Sequence, residues 1–420
     1  MKQYRPMPLI YVTNKNLMNT VRFTMEFTEP VREKTMPHAV EAGMKRYPYF
    51  AVKIVRCAEN WVLEESNRPF VISPENKTVC LGSEEGNGYL VAFAYEGNAV
   101  SIDMSHYIAD GTGMTPLFKT IAWHYLKEVH PEAELDASDI RLSGSDIPPE
   151  EENHPFPAEL LPETGEAATF ETDALLIPDD RFDDLRVYAY HLQVAQTEFV
   201  RFARANGGSP VSMLTALLSE LIRAQFPEAG KDIVCGIPHQ LRGVLGKPLA
   251  HDNLIAMPFV KITPEMKGLT LAELNRNIRE QLRKNAGEEA DIRTVNGMMQ
   301  LDAYLDQMPL AVKQQTIQEI VAESRRPFTF SVSYTGQVSW GGMERYIRDV
   351  HFYVDENVIS EKVECEVYTI WDCFSLTVMQ HGKNDFLVSV LEKELNARGV
   401  PCHRTGEKRY RLCAFQLDYE

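Results

Sequence analysis

No apolar run in this 420-residue sequence approaches the roughly 18 residues that a helix needs to cross a bilayer. Positive charge is also scarce: 43 Lys and Arg stand against 60 Asp and Glu, a formal net charge of −17. That balance argues against a main partner of nucleic-acid backbone, and equally against an anionic membrane surface. Cysteine is thin and scattered. Cys57, Cys80, Cys235, Cys365, Cys373, Cys402 and Cys413 contain no C-x-x-C pair, so the expectation is buried reduced thiols in a cytoplasmic protein, not a disulfide framework or a zinc site. The stretch from Met1 to Pro8 lacks the apolar core of a secretory signal, because prolines and polar side chains interrupt it.

What is present is an ordinary globular composition, 44% hydrophobic and 25% charged. At about 150 residues per domain the length suggests two to three units. The stretch from Pro131 to Phe170 stands apart, with eleven acidic residues, six prolines and a single basic residue, Arg141. Proline fixes φ and removes a donor, so 131–170 is expected to be an acidic linker or surface crossover. It divides residues 1–130 from residues 171–420. Its apolar surface is too small to offset the entropy of ordering it, which predicts a mobile segment.

Both flanking parts mix helices and strands. In the first, Lys34 to Arg46 reads as a helix with Pro37 in its first turn, and Tyr49 to Arg56 and Asn60 to Glu65 read as strands. Tyr89–Tyr95 and Ala99–Met104 form a hairpin, and a helix with a stripe of Leu117, Ile121, Tyr125 and Val129 follows. In the second, Thr197–Ala205, a helix capped by Ser209-Pro210, and Asp385–Arg398 are helical; Thr270 to Glu273 is a capping box that opens another. Asp232–Ile237, Leu254–Ile262, Phe328–Tyr334, Val350–Val354 and Phe374–Gln380 read as strands. Alternation of this kind gives an α/β (α+β) class with two comparable lobes.

One constellation carries chemistry: Met104-Ser105-His106-Tyr107-Ile108-Ala109-Asp110-Gly111. His106 leaves a strand end, where a side chain can point into a cleft. Asp110 is too near in sequence to act independently and is expected to pin the loop through an ion pair, with Arg22 or Arg242 as partner. Gly111 is expected to supply a backbone conformation that a side chain forbids. His239 and His251 flank Arg242, and Cys235 is close, but three or four converging ligands are missing, so no metal site is expected. The basic pairs Lys45-Arg46, Arg283-Lys284 and Arg325-Arg326 read as solvated surface before they read as phosphate contacts.

His106-x-x-x-Asp110-Gly111 resembles the active-site signature of the CoA-dependent acyltransferase superfamily, which includes chloramphenicol acetyltransferase, alcohol acetyltransferases and the condensation domains of peptide synthetases. Gly236-Ile-Pro-His-Gln-Leu-Arg242 with His251-Asp-Asn253 is similar to that family's second-lobe segment. Phe330-Ser-Val-Ser-Tyr-Thr-Gly336 resembles its later Ser-Asn-x-Gly strand, with Tyr334 where the family has Asn. Ser105 replaces the first of the two histidines of condensation domains, and the plant-type Asp-Phe-Gly-Trp-Gly motif is absent.

The resemblance implies two chloramphenicol-acetyltransferase-like lobes, each a mixed sheet with helices, and an active-site channel between them. It implies transfer of an acyl group from acyl-CoA or a phosphopantetheine thioester to an alcohol or amine. His106 would be the base, and Ser331, Ser333 and Tyr334 the oxyanion or channel residues. No cofactor would be held permanently. The partners would be a small-molecule donor and acceptor, or an acyl carrier protein, acting on a monomer whose lobes form an internal pseudo-dimer. The rival expectation is a catalytically degenerate relative that binds a ligand or carrier protein without turnover; an intact His106, Asp110 and Gly111 argues against it.

Overall fold

The computed structural model describes residues 1–12, 19–163, 170–178, 186–227, 229–324, 327–354, 363–410 and 412. The N-terminal part contains β1 (Thr20–Phe27), α1 (Met36–Met44), β2 (Ile72–Pro74), β3 (Val91–Glu96), β4 (Ala99–Ser105) and α2 (Gly111–Val129). After the crossover come β5 (Val187–Ala195), α3 (Gln196–Ala205), α4 (Pro210–Gln225), β6 (Ile233–Gly236), β7 (Phe259–Ile262), α5 (Leu271–Asn285), α6 (Glu288–Leu305) and α7 (Leu310–Ser324). The chain continues through β8 (Phe330–Tyr334), β9 (Ile347–Val354), β10 (Val363–Ile370), β11 (Cys373–His381), α8 (Phe386–Ala397) and β12 (Cys402–Arg409).

Two mixed sheets organise these elements. The five-stranded sheet runs β9-β1-β4-β3-β2, and the seven-stranded sheet runs β7-β6-β8-β10-β11-β5-β12. Each has helices against one face, as an α/β fold of two lobes requires. The stripe of α2 is buried along its length: Leu117, Ile121, Tyr125 and Val129, with Phe118, Ala122 and Leu126 beside them. They close the N-terminal core against Phe23, Val100, Ile102 and Met104. The C-terminal core packs α4, α5 and α8 onto the seven-stranded sheet. Reciprocal hydrogen bonds at Ser209/Ser212 and Thr270/Glu273 start α4 and α5, so both caps act as the residue types dictate.

The sequence boundary at residue 170 does not divide the sheets. Strand β9, from the C-terminal part, pairs antiparallel with β1 along Val350↔Met25 to Val354↔Val21 and so completes the N-terminal sheet. Leu254–Ile262 is interrupted: Ile255–Ala256 pairs with His239–Gln240, and β7 begins after Pro258. A proline cannot donate to a ladder, which is the reason for the break.

Two expectations are corrected. Within the described residues the crossover is fixed, not mobile, because Ala133, Ile140 and Glu151 are buried. Glu151, 1% exposed, accepts from Arg46 Nη1 at 2.8 Å and Nη2 at 3.0 Å, and from the Tyr49 hydroxyl. Arg46 is therefore a buried anchor and not a surface charge. Cys80 is disulfide-bonded and Cys57 is exposed, so the thiols are not uniformly buried and reduced. Arg325 and Arg326 also lie outside the described residues. Among the described residues no helix is long and apolar enough to cross a membrane.

Candidate active site

A cavity of about 440 Å³ lies between the lobes. His106, Asp110, Gly111 and Thr112 enter it from the N-terminal part, and Ser331, Ser333, Thr335, Glu364, Glu366 and Tyr368 from the seven-stranded sheet. His106 stands where β4 ends, with its backbone N–H on the Asn19 carbonyl at 2.7 Å. Its ring Nδ1 lies 2.9 Å from the Ala109 carbonyl. The Asn253 amide nitrogen lies 3.0 Å from the same Nδ1, so both of these ring contacts fall on Nδ1 and neither on Nε2. The Asn253 amide donates to the His106 carbonyl at 2.7 Å and tethers that loop from the other lobe. Burial pushes the His106 pKa below its usual value, against the Asp110 charge and the hydrogen bond to Ala109, which raise it. The imidazole is thus neutral near pH 7, as a base must be.

Asp110 borders the cavity, but its carboxylate oxygens are taken up by the protein. It is fully buried and caps α2, accepting from Gly113 N at 2.8 Å. Arg242 grips it with Nη1 to Oδ2 at 2.8 Å and Nη2 to Oδ1 at 2.9 Å, and Leu254 N adds 3.0 Å to Oδ2. Arg242 also donates to the carbonyls of Ala250 and Asp252, both at 2.9 Å. Of the two expected partners, Arg242 is the one that pairs. Arg22 sits opposite Asp103 in the β1–β4 register and binds it twice at 2.6 Å, so it braces the sheet and not the site.

Gly111 is needed for a different reason from the one expected. No positive φ occurs there; instead a Cβ would come within 3.1 Å of the Tyr368 hydroxyl and 3.3 Å of Thr335 Cγ2. Gly113, which the motif reading passed over, is tighter, for its Cβ would stand 2.0 Å from the His251 carbonyl oxygen.

Ser331 and Ser333 share one face of β8 and lie opposite Glu364 and Glu366 of β10. Ser333 is engaged with Glu366. Tyr334, on the alternate face, packs its ring edge-on against Phe374 at 5.7 Å while still forming part of the cavity wall. Glu364, Glu366 and Tyr368 were missed by sequence reasoning. The signal was there: Val363, Cys365 and Val367 enter the C-terminal core, which sends the alternate residues the other way. His239 pairs with Asp291 at 3.0 Å, and His251 hydrogen-bonds the Glu151 carbonyl at 2.7 Å. Among the described residues no group of His, Cys, Asp or Glu could hold a metal ion.

No family model and no curated protein sequence matches the chain. Solved structures do. TRI101 of F. sporotrichioides, crystallised with coenzyme A and T-2, is 12% identical with a TM-score of 0.61, covering 97% of this chain and 100% of its own. Polyketide synthase associated protein 5 from Mycobacterium tuberculosis is 13% identical with a TM-score of 0.57, over 94% and 98%. The condensation domain of the Monacolin K polyketide synthase MokA is 12% identical with a TM-score of 0.54, over 95% and 97%. The chain therefore shares its two-lobed fold with these three structures.

Proposed function

We propose that this protein is an acyltransferase that moves an acyl group from a thioester, acyl-CoA or an acyl carrier protein, to an alcohol or amine. The observation that carries the reading is the placement of His106: its ring contacts to Ala109 and Asn253 both fall on Nδ1, which leaves Nε2 as the base at the cavity. As the acceptor oxygen or nitrogen bonds to the thioester carbonyl, its proton passes to His106 Nε2. The tetrahedral oxyanion needs hydrogen-bond donors. Ser331, buried on the channel face, and Thr335, which lines the same cavity, are the nearest to hand. Collapse breaks the C–S bond, and the leaving thiolate takes the proton back from His106. No covalent acyl-enzyme forms.

Two features support the reading: the fold, and a clamp of Asp110 and Arg242 that holds the His106 loop to the opposite lobe. TRI101 has been crystallised with coenzyme A in this fold. In the reading, residues 1–130 and 171–420 are the two lobes of one monomer in the cytoplasm, with β9 lent across, and the co-substrate is not held permanently. The test is thiol release from a panel of acyl-CoAs and carrier-protein thioesters with alcohol and amine acceptors. Turnover by the wild type that His106→Ala abolishes supports it. Turnover that survives in folded His106→Ala sinks it.

A further inference from the structure

The floor of the channel carries a carboxyl that general-base transfer does not use. Residues 364, 366 and 368 point away from the C-terminal core, as strand alternation requires, and all three line the cavity. Glu366 is 5% exposed. Burial pushes its carboxyl up to about 7, against hydrogen bonds with Ser333 and Glu364, and no cation is among the groups that act on it. One step along the same face, Tyr368 is 1% exposed, and its hydroxyl lies beside Thr115 and Thr335. A buried carboxyl with no cation acting on it, opening on a cavity beside a phenol, is a group left for a ligand.

The rest of the wall narrows the ligand's charge. The described lining residues include no Lys or Arg. Asp110 is already neutralised by Arg242, and His239 is bound to Asp291. Phe328, Tyr334 and Phe352 add aromatic surface to the same cavity, and ring faces attract cations. An anionic acceptor would be repelled here, whereas an ammonium would supply the cation that the Glu366 carboxyl lacks. We propose that the acceptor is a cationic amine, a diamine or amino alcohol, whose ammonium seats against Glu366 and Tyr368 while its second amine or hydroxyl reaches His106. The reacting end rests on the acyl-transfer reading; the ammonium seat rests on the channel floor alone.

The experiment titrates the full-length protein by calorimetry with putrescine and with the neutral diol of the same length, alongside thiol-release assays using both as acceptors. Putrescine should bind about tenfold more tightly or better, the worth of one charge-assisted contact. Glu366→Gln should lose that preference, and Glu366→Asp should keep part of it. Equal binding of diamine and diol by the wild type overturns the ammonium seat and leaves acyl transfer standing; that comparison needs no variant to fold. A preference that persists in folded Glu366→Gln overturns it too. Putrescine binding that depends on Glu366, with no thiol released from any donor, keeps the seat and sinks the transfer reading.

Discussion

The Asp110 carboxylate and the Arg242 guanidinium meet as a bidentate pair across the lobes, at 2.8 and 2.9 Å, with side chains 1% and 3% exposed. They are 132 positions apart in the chain, so the pair fixes how the His106 loop faces the second lobe. Asp110→Ala leaves Arg242 buried and unpaired, at a cost of roughly 3–5 kcal/mol. The variant should lose thermal stability together with activity. If it melts like wild type while activity vanishes, Asp110 acts in the chemistry and its structural role is wrong.

His106→Ala removes a half-buried ring and little else, so the fold should persist while transfer falls by about 10²–10⁴-fold. The pH profile follows from the lowered pKa. Transfer requires the neutral imidazole, so kcat/KM should rise with pH and level off below the usual histidine value of about 6.5. Because the unfolded chain takes up this proton first, His106 also makes stability fall as pH drops through that value. A plateau reached only above pH 7 would contradict the burial assigned to the ring.

How much of this was legible follows from sequence separation. The His106 loop and the α2 stripe were readable because strand end, turn and helix cap are local patterns. Arg242 was named as one of two partners, and only the register that sets Arg22 against Asp103 decides between them. Glu366 was missed because a carboxylate on an alternating strand reads as solvent-facing until the second lobe covers it. Strands β5, β10 and β12 were left unassigned; β12, Cys402-His-Arg-Thr-Gly-Glu-Lys-Arg409, has the composition of a polar loop and is a strand only because it pairs with β5. Pairing of β9 with β1 is a long-range choice that no local pattern encodes.

The crossover should respond to one carboxylate. Burial pushes the Glu151 pKa up, but hydrogen bonds from Arg46 and Tyr49 and the charge of Arg141 outweigh it and hold it below the ordinary glutamate value. A depressed carboxylate stabilises the fold above its unfolded pKa of about 4.3, and that contribution disappears as pH falls through the folded value. Glu151→Ala should abolish this acid-dependent part, cost roughly 3–5 kcal/mol by stranding Arg46, and open the segment from Glu132 to Glu163 to proteases. Wild-type protein cut there as fast as the variant would show that the packing of Glu151 does not hold the crossover.

Gly113 offers a test in which the sign of the effect identifies the cause. In the interior of a helix, replacing glycine by alanine ordinarily stabilises by about 1 kcal/mol. Here the new Cβ would stand 2.0 Å from the His251 carbonyl oxygen and 2.9 Å from its carbon. That backbone cannot retreat easily: the His251 ring is hydrogen-bonded to Glu151, and the next carbonyl, of Asp252, is held by Arg242. Gly113→Ala should therefore destabilise, by about 1–3 kcal/mol or more, as overpacking does. It should also impair transfer, because the displaced helix start carries Asp110. Gly111→Ala is the control, since its Cβ meets only side-chain ends, Tyr368 Oη at 3.1 Å and Thr335 Cγ2 at 3.3 Å. It should melt near the wild-type temperature and lose turnover by crowding the channel. Thermal melts and thiol release on both variants decide the matter: a Gly113→Ala protein more stable than wild type would mean that the close approach of α2 to the second lobe is not part of the fold.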